Sequence, residues 1–251
     1  MFKPKTERIE KLAKIYPDRI KELEKIFSKK TNIYLDYSNI YHWSKKLNWH
    51  LDPKRLKQLL DSFDTVQLIR LYNGTLEGDK NSEQFIKEVD ELGYDITTKP
   101  VKRMNFSIDV SGIPLNSPII LESFIKKPFL KVMTLETIEY LNTKLKEIND
   151  RGVKYIETMK CNFDVELARD MLLDYEKDSI DTFILWSGDS DFADPVSQLL
   201  KDKKKVFLFA TVRRVSIELQ ETGVPIFEIQ KIRNFICRPN EIQSDVSKKL
   251  L

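Results

Sequence analysis

The chain has 251 residues, of which 41% are hydrophobic and 32% charged, a balance typical of soluble globular proteins. No apolar run reaches the roughly 18 residues that a membrane span needs, and the charged N-terminus lacks a secretory signal, so we expect a cytoplasmic protein with no membrane partner. The net charge of +3 permits nucleic-acid binding without arguing for it, and two cysteines, Cys161 and Cys237, are too few for a disulfide framework.

Residues 1–30 predict an N-terminal helical extension with a break at Pro17. Apolar residues recur there at helical spacing, and ten basic side chains stand against five acidic ones. We expect a helical pair that packs on the main domain and exposes its charged side. The alternatives are a contact with RNA or with a second copy of the chain in a homodimer.

The main domain is predicted at residues 31–236, with an insertion at about 101–150 that prolines interrupt and a tail at 237–251. The predicted strands are 33–35, 66–72, 94–100, 182–186, 206–210 and 225–229. The predicted helices are 53–60, 82–92, 134–149, 164–175, 194–200 and 215–220, with Asp194 as an N-cap. Strands that alternate with helices favour right-handed βαβ units, and therefore an α/β fold with a mainly parallel sheet.

Aspartates follow two of these strands. Asp36 comes directly after the first strand, and Asp189 and Asp191 come after the strand at 182–186. Asp164 begins the helix that precedes this second strand. Functional sites in such sheets lie beyond the carboxyl ends of the strands, so the four carboxylates are expected at one edge. Taken singly, Asp36 could be a turn or cap residue and Asp164 an N-cap.

Four carboxylates in one pocket would repel each other strongly unless a cation neutralised them. Carboxylate oxygens are hard ligands of the kind that Mg²⁺ or Mn²⁺ prefers. A metal in such a site can activate water and stabilise the charge that develops on a phosphodiester during hydrolysis. The pattern therefore favours phosphodiester chemistry.

Three segments resemble the NYN branch of the PIN-like nuclease superfamily, including the LabA-related group. The similarity extends roughly over residues 31–236. The matching segments are the early Ile33–Asn39, the middle Lys160–Asp170 and the late Leu185–Phe192. The middle segment is one residue longer between its lysine and aspartate than is common in the family, which affects the register of Lys160 more than that of Asp164.

The resemblance implies a Rossmann-like three-layer α/β/α fold, a divalent metal, and RNA as the substrate. It implies that the metal ligands are Asp36, Asp164, Asp189 and Asp191. It also implies that Asn39 belongs to the catalytic site, where it would hold the loop of Asp36 or contact the water shell of the metal. Ser187 would line the pocket, and Lys160 would contact the substrate. Asp170 lies about one and a half helical turns from Asp164, so we expect a structural role for it.

Basic residues near the predicted edge are candidates for RNA contacts. Arg213 and Arg214 follow the strand at 206–210, where a guanidinium could bind phosphate bidentately. Lys99, Lys102 and Arg103 follow the third strand.

Together these features predict a metal-dependent ribonuclease. The alternative is a non-catalytic RNA-binding or regulatory module with a PIN-like fold. A phosphoaspartate phosphatase is disfavoured because Ser38 stands where its second aspartate is needed, and a dinucleotide-binding enzyme because no glycine-rich motif follows the first strand.

Overall fold

The computed structural model describes residues 1–177 and 179–250, apart from the side chains of residues 42, 45, 46 and 212. The chain forms two compact units. The first comprises Met1–Pro100 and Asn162–Leu251, and the second comprises Val101–Cys161. The second unit thus begins where the sequence places an insertion and extends about ten residues beyond its expected end at 150.

The strands are β1 Thr31–Asp36, β2 Val66–Thr75, β3 Asp95–Pro100, β4 Lys102–Ser107, β5 Tyr155–Lys160, β6 Thr182–Trp186, β7 Lys205–Ala210 and β8 Ile226–Glu228. The helices are α1 Glu7–Ile15, α2 Pro17–Ile26, α3 Tyr37–Leu47, α4 Pro53–Leu60, α5 Lys80–Glu91, α6 Lys127–Val132, α7 Leu135–Asn149, α8 Asp164–Glu176, α9 Ala193–Lys201, α10 Ile217–Glu221, α11 Arg233–Ile236 and α12 Ser244–Leu250. In the described part of the chain, no helix is both long and apolar enough to cross a membrane.

The first unit contains a six-stranded sheet in the described residues, with the order β3-β2-β1-β6-β7-β8. All of its pairings are parallel, which confirms the predicted α/β fold with a mainly parallel sheet flanked by helices. The central strands β1 and β6 are buried along their whole length, as expected when helices cover both faces. Strands β2 and β3 are added on one side of β1, whereas β7 and β8 are added on the opposite side of β6. The β1–β6 boundary is therefore the switch point of the topology.

Several elements were absent from the sequence prediction, among them one helix and one strand beside the predicted motifs, and one predicted cap is wrong. Helix α3 follows β1 directly, and strand β5 lies just before the middle motif. Asp194 does not cap its helix, because α9 begins one residue earlier, at Ala193, and Phe192 occupies the N-cap. Asp194 instead lies in the first turn, where an acidic side chain is favoured by the helix dipole.

The N-terminal helices belong to the first unit. The predicted break at Pro17 is where α2 begins, with proline in its first turn. Ile9 and Leu12 of α1 are fully buried. Arg8 donates hydrogen bonds to the Phe235 carbonyl at 3.0 Å and to the Gln58 side chain at 3.1 Å, and so connects α1 to α11 and α4.

Helix α8 is fixed to the central strand by polar contacts. The Asp174 carboxylate accepts hydrogen bonds from the Asn32 amide at 2.8 Å and from the Tyr34 hydroxyl at 2.7 Å, and these two donors belong to β1. All three side chains are buried. Buried polar groups with defined partners favour one register of a helix over its neighbours, because a shifted helix would leave them unpaired.

Arg70 of β2 completes this network. Its guanidinium lies 2.8 Å from the Asp95 carboxylate, 3.2 Å from that of Asp174 and 3.8 Å from that of Asp170. Asp170 also accepts a hydrogen bond from the Tyr72 hydroxyl at 2.9 Å. Asp170 therefore has the structural role expected from its position on α8.

The second unit is a small antiparallel arrangement. Strands β4 and β5 form a two-stranded ribbon. Helix α7 is hydrogen-bonded to the loop that follows β4. The buried Asn149 side chain accepts from the Val110 N–H at 2.9 Å and donates to the Ile108 carbonyl at 3.0 Å. The Asn142 amide donates to the carbonyls of Leu115 and Ser117.

Replacing Arg70 with methionine should destabilise the first unit. It would leave the buried carboxylate of Asp174 without the cation that lies 3.2 Å away, which typically costs about 3 kcal/mol or more. The matched control is Arg169→Met, which removes another partner of Asp170 from an exposed position. Urea unfolding should show a large loss for the first variant and little change for the second. Equal stabilities would contradict the structural role assigned to Arg70.

Candidate metal centre

The candidate site lies at the switch point of the sheet, beyond the carboxyl ends of β1 and β6. Asp36 is the last residue of β1, and Asp189 and Asp191 lie in the turn between β6 and α9. Asp164 is the first residue of α8. In open parallel sheets this crevice is the usual place for a ligand.

Three of the four predicted carboxylates form one group. One oxygen each from Asp164, Asp189 and Asp191 lies within 4.8 Å of the others. At that separation two full charges repel by about 3 kcal/mol at the effective dielectric typical of a protein surface. Because Asp191 is exposed, salt and solvent reduce this repulsion. The group still requires the fold to hold like charges together.

Among the described residues, Asp36 is not a member of this group, and it is buried. Its carboxylate accepts a hydrogen bond from the buried Ser187 hydroxyl at 3.1 Å and another from the Asn39 N–H at 3.1 Å. The second of these bonds makes Asp36 the N-cap of α3, so the cap interpretation from the sequence is realised. Asp36 nevertheless lies close enough to Asp164 and Asp189 to respond to their charges.

Burial and like charge shift the pKa values of the site upwards. Burial raises the pKa of Asp36 to about 6, and the charges of Asp164 and Asp189 add to this effect against the two hydrogen bonds that lower it. Burial also raises the pKa of Asp164, and the neighbouring Asp191 and Asp189 raise it further. A metal cation would reverse these effects, since it stabilises the ionised form of every carboxylate.

The loop that carries Asp189 is fixed by its glycine. A β-carbon at residue 188 would lie 2.1 Å from the Arg214 carbonyl oxygen, so the backbone approach leaves no room for a side chain. The Gly188 carbonyl also accepts a hydrogen bond from the Ser216 N–H at 2.9 Å. Asp189 then caps the short 3₁₀ turn that follows, accepting from the Asp191 N–H at 3.3 Å.

The remaining predicted residues fall into three places. Ser187 is fully buried, and its hydroxyl donates a hydrogen bond to the Asp36 carboxylate. Asn39 supports Asp36 through its backbone N–H. Arg213 and Arg214 are exposed in the turn after β7, which contacts the Gly188 loop. Lys160 is the last residue of β5 and belongs to the second unit.

Asn162 and Gly188 contribute to the site, although their roles were not predicted from the sequence. The Asn162 amide donates to the Asp164 carboxylate at 2.7 Å and so orients it. The role of Asn162 could have been predicted because it lies two residues before an aspartate that begins a helix. Short polar side chains in such positions commonly form hydrogen bonds across the turn. The signal for Gly188 was a glycine between a buried strand and an aspartate pair, where a close backbone approach is one of the known uses of glycine.

The donor set fits a hard divalent cation. Asp164, Asp189 and Asp191 all offer carboxylate oxygens, which suit Mg²⁺ or Mn²⁺ and not a soft metal. Asp36 adds a fourth negative charge beside them. The candidate centre therefore has both the ligand chemistry and the charge that such an ion requires.

Comparisons with known proteins agree with this fold. The family model of the NYN domain matches residues 125–223, consistent with a NYN/PIN-like domain. The matched range includes Asp164, Asp189 and Asp191 and begins after Asp36. A solved structure of a protein of unknown function from Vibrio parahaemolyticus is similar, with 16% identity, coverage of 84% of this chain and 96% of that chain, and a TM-score of 0.50. At that identity the likeness shows the fold alone. No curated protein matches the chain.

The raised pKa of Asp36 predicts a pH-dependent stability in the metal-free protein. Between its ordinary value of 3.8 and about 6, the folded state retains the Asp36 proton and the unfolded state has released it. The free energy of unfolding should therefore fall as pH rises through this range, by on the order of 3 kcal/mol from this group. Urea unfolding in EDTA should show a smaller fall for Asp36→Asn than for the wild type. The control Asp194→Asn should follow the wild type, and parallel curves for all three proteins would contradict the prediction.

Gly188→Ala should disrupt the metal centre. The added methyl group collides with backbone, so the loop carrying Asp189 and Asp191 must move, and overpacking of this kind costs about 1–3 kcal/mol. We expect a marked loss of Mn²⁺ affinity in calorimetric titration. Gly78→Ala is the control, because nothing lies within 4 Å of its added carbon and only backbone strain at a φ of 78° is introduced. It should bind Mn²⁺ normally. Unchanged Mn²⁺ binding by Gly188→Ala would contradict the role of the close approach.

Proposed function

We propose that this protein is a metal-dependent nuclease that hydrolyses phosphodiester bonds of RNA. The observation that supports it most is the group formed by Asp164, Asp189 and Asp191 at the switch point of the sheet. The NYN match over residues 125–223 supports nuclease chemistry, and RNA as substrate follows from the same resemblance.

The residues of the centre have distinct parts in this proposal. Asp164, Asp189 and Asp191 would hold a Mg²⁺ or Mn²⁺ ion, with Asp36 as a supporting charge near them. Bound there, the ion would supply Lewis-acid stabilisation of the charge that builds on the phosphodiester. Ser187 and the Asn39 N–H would keep Asp36 in place, and the Asn162 amide would keep Asp164 in place.

Hydrolysis forms a phosphorus–oxygen bond from water and breaks the bond to the leaving oxygen, which takes up a proton. Negative charge accumulates on the phosphoryl oxygens while these bonds exchange. Arg213 and Arg214 are exposed in the turn that contacts the Gly188 loop, so their guanidinium groups would bind the phosphates on either side of the reacting one.

Asp189→Asn should abolish cleavage while leaving the fold intact. The change removes one charged ligand of the ion, and the loss should be on the order of a hundredfold or more. The assay follows labelled single-stranded RNA, structured RNA and DNA with Mg²⁺, Mn²⁺ or EDTA. Asp194→Asn is the matched control, since Asp194 is exposed nearby and lies outside the group. It should cleave at the wild-type rate.

Cleavage that persists in EDTA, or in the Asp189→Asn protein, would contradict the proposal. If the wild type binds RNA but does not cleave it with either metal, the chain is a binding module instead. If the protein cleaves DNA in preference to RNA, the proposed metal-dependent hydrolysis stands, but the proposed substrate is wrong.

A further inference from the structure

The β4–β5 ribbon of the second unit places two lysines directly opposite each other. Lys102 pairs with Lys160 in the register of the antiparallel strands, and both side chains are exposed. Neither forms an ion pair with any residue that the structure describes. Like charges in directly opposed positions destabilise a ribbon. This pair therefore opposes the folding of the unit that contains it, unless an anion neutralises it.

The same face of the ribbon continues as an apolar surface. Successive residues of a strand point to opposite faces, so the pairs that share a face with the lysines are Met104–Thr158 and Phe106–Ile156. Met104 is 40% exposed and Ile156 is 46% exposed. A two-stranded ribbon is only marginally stable by itself, and this face is only partly covered, since Phe106 and Thr158 are half-buried. We call these six residues the ribbon face.

A lysine-rich segment lies beside the ribbon face. The ring of Phe106 meets the ring of Phe124 edge-on, with centroids 6.4 Å apart. Phe124 belongs to residues 123–135, which contain three lysines and no acidic residue. The lysines, which are exposed and have no ion pair with a described residue, are Lys126, Lys127 and Lys131. Phe129 in the same segment is 63% exposed.

We infer that the ribbon face and residues 123–135 together bind a single strand of RNA. The inference rests on the proposed function, because it assigns the surface that holds the substrate of that nuclease. Unpaired lysines provide the charge that phosphates require, and exposed phenylalanine rings provide surfaces on which unpaired bases stack. The ligand is therefore an anion that carries flat apolar groups. A single strand of RNA meets this requirement because its bases are free to stack on the rings, whereas the bases of a duplex already stack on one another.

The second unit is joined to the first by two chain connections. The second unit leaves the first at Pro100, the end of β3, and rejoins it at Asn162, two residues before Asp164. Lys160 was predicted from the sequence to contact the substrate. In the ribbon it lies opposite a second lysine, Lys102, so two positive charges are available to the same ligand.

The test is a double variant, Lys102→Gln with Lys160→Gln, in the full-length protein. Binding of a short fluorescein-labelled oligouridylate is measured by anisotropy in EDTA, over a salt series from about 50 to 200 mM. Each phosphate contact to a single strand contributes about 0.7 to the slope of log affinity against log salt, so two lost contacts should make the slope shallower by about 1.4. Affinity at low salt should fall accordingly.

The matched control is Lys144→Gln with Lys154→Gln, since these lysines of the same unit are paired with Glu147 and Asp109. Its affinity and slope should stay close to those of the wild type. The Lys102/Lys160 variant should also melt at or above the wild-type temperature, because a repulsion has been removed. If it fails to fold, the triple variant Lys126→Gln, Lys127→Gln and Lys131→Gln decides by the same readout.

Wild-type affinity and slope in the lysine variants would overturn the inference. Lysine-dependent binding of phosphatidylserine vesicles without binding of the oligouridylate would also overturn it, in favour of a membrane surface. Failure here is distinguishable from failure of the proposed function. The proposed function fails if Asp189→Asn still cleaves, whereas this inference fails if the lysine variants still bind normally.

Discussion

The carboxylates gathered at the switch point repel one another, and the surrounding elements must hold them in place against that repulsion. Asp164, Asp189 and Asp191 come within 4.8 Å of one another from two separate parts of the chain. Asp36 adds its charge from a third part. Such a group is unfavourable without a cation, so the fold must supply rigid supports for each member.

Those supports are polar and sterically specific. Helix α8 brings Asp164 to the edge, and its register against the sheet is set by Asp174, Asp170 and Arg70. The turn that carries Asp189 is fixed by the absence of a side chain at Gly188. Ser187 directs its hydroxyl to Asp36 across the β1–β6 boundary. Hydrophobic burial alone would tolerate small sliding of these elements, whereas buried hydrogen bonds do not.

Much of this arrangement could be predicted from the sequence because its signals are local. Residues 182–186 are a continuous apolar strand followed by acidic residues, and Asp52-Pro53 marks the start of α4 by capping and fixed backbone angle. The parallel sheet then follows from alternating elements. The rule about strand ends predicted the place of Asp189 and Asp191. Asp164 was expected beside them because it begins the helix that precedes β6.

The rest depends on long-range contacts that a linear pattern does not contain. Helix α3 was missed because its segment, Tyr37–Leu47, is rich in aromatic and β-branched or polar residues with weak helix propensity, and its start depends on the Asp36 cap. Strand β5 was missed because it is largely exposed on both faces and is defined by its pairing with β4, about fifty residues away. The burial of Asp36 and of Ser187 depends on packing across the sheet.

Diffraction from crystals soaked in Mn²⁺, recorded at a wavelength where manganese scatters anomalously, would locate the ion itself. We expect one strong anomalous peak in contact with carboxylate oxygens of Asp164, Asp189 and Asp191, with Asp36 adjacent. The absence of a peak at that edge of the sheet, or three side chains pointing to separate surfaces, would contradict this expectation.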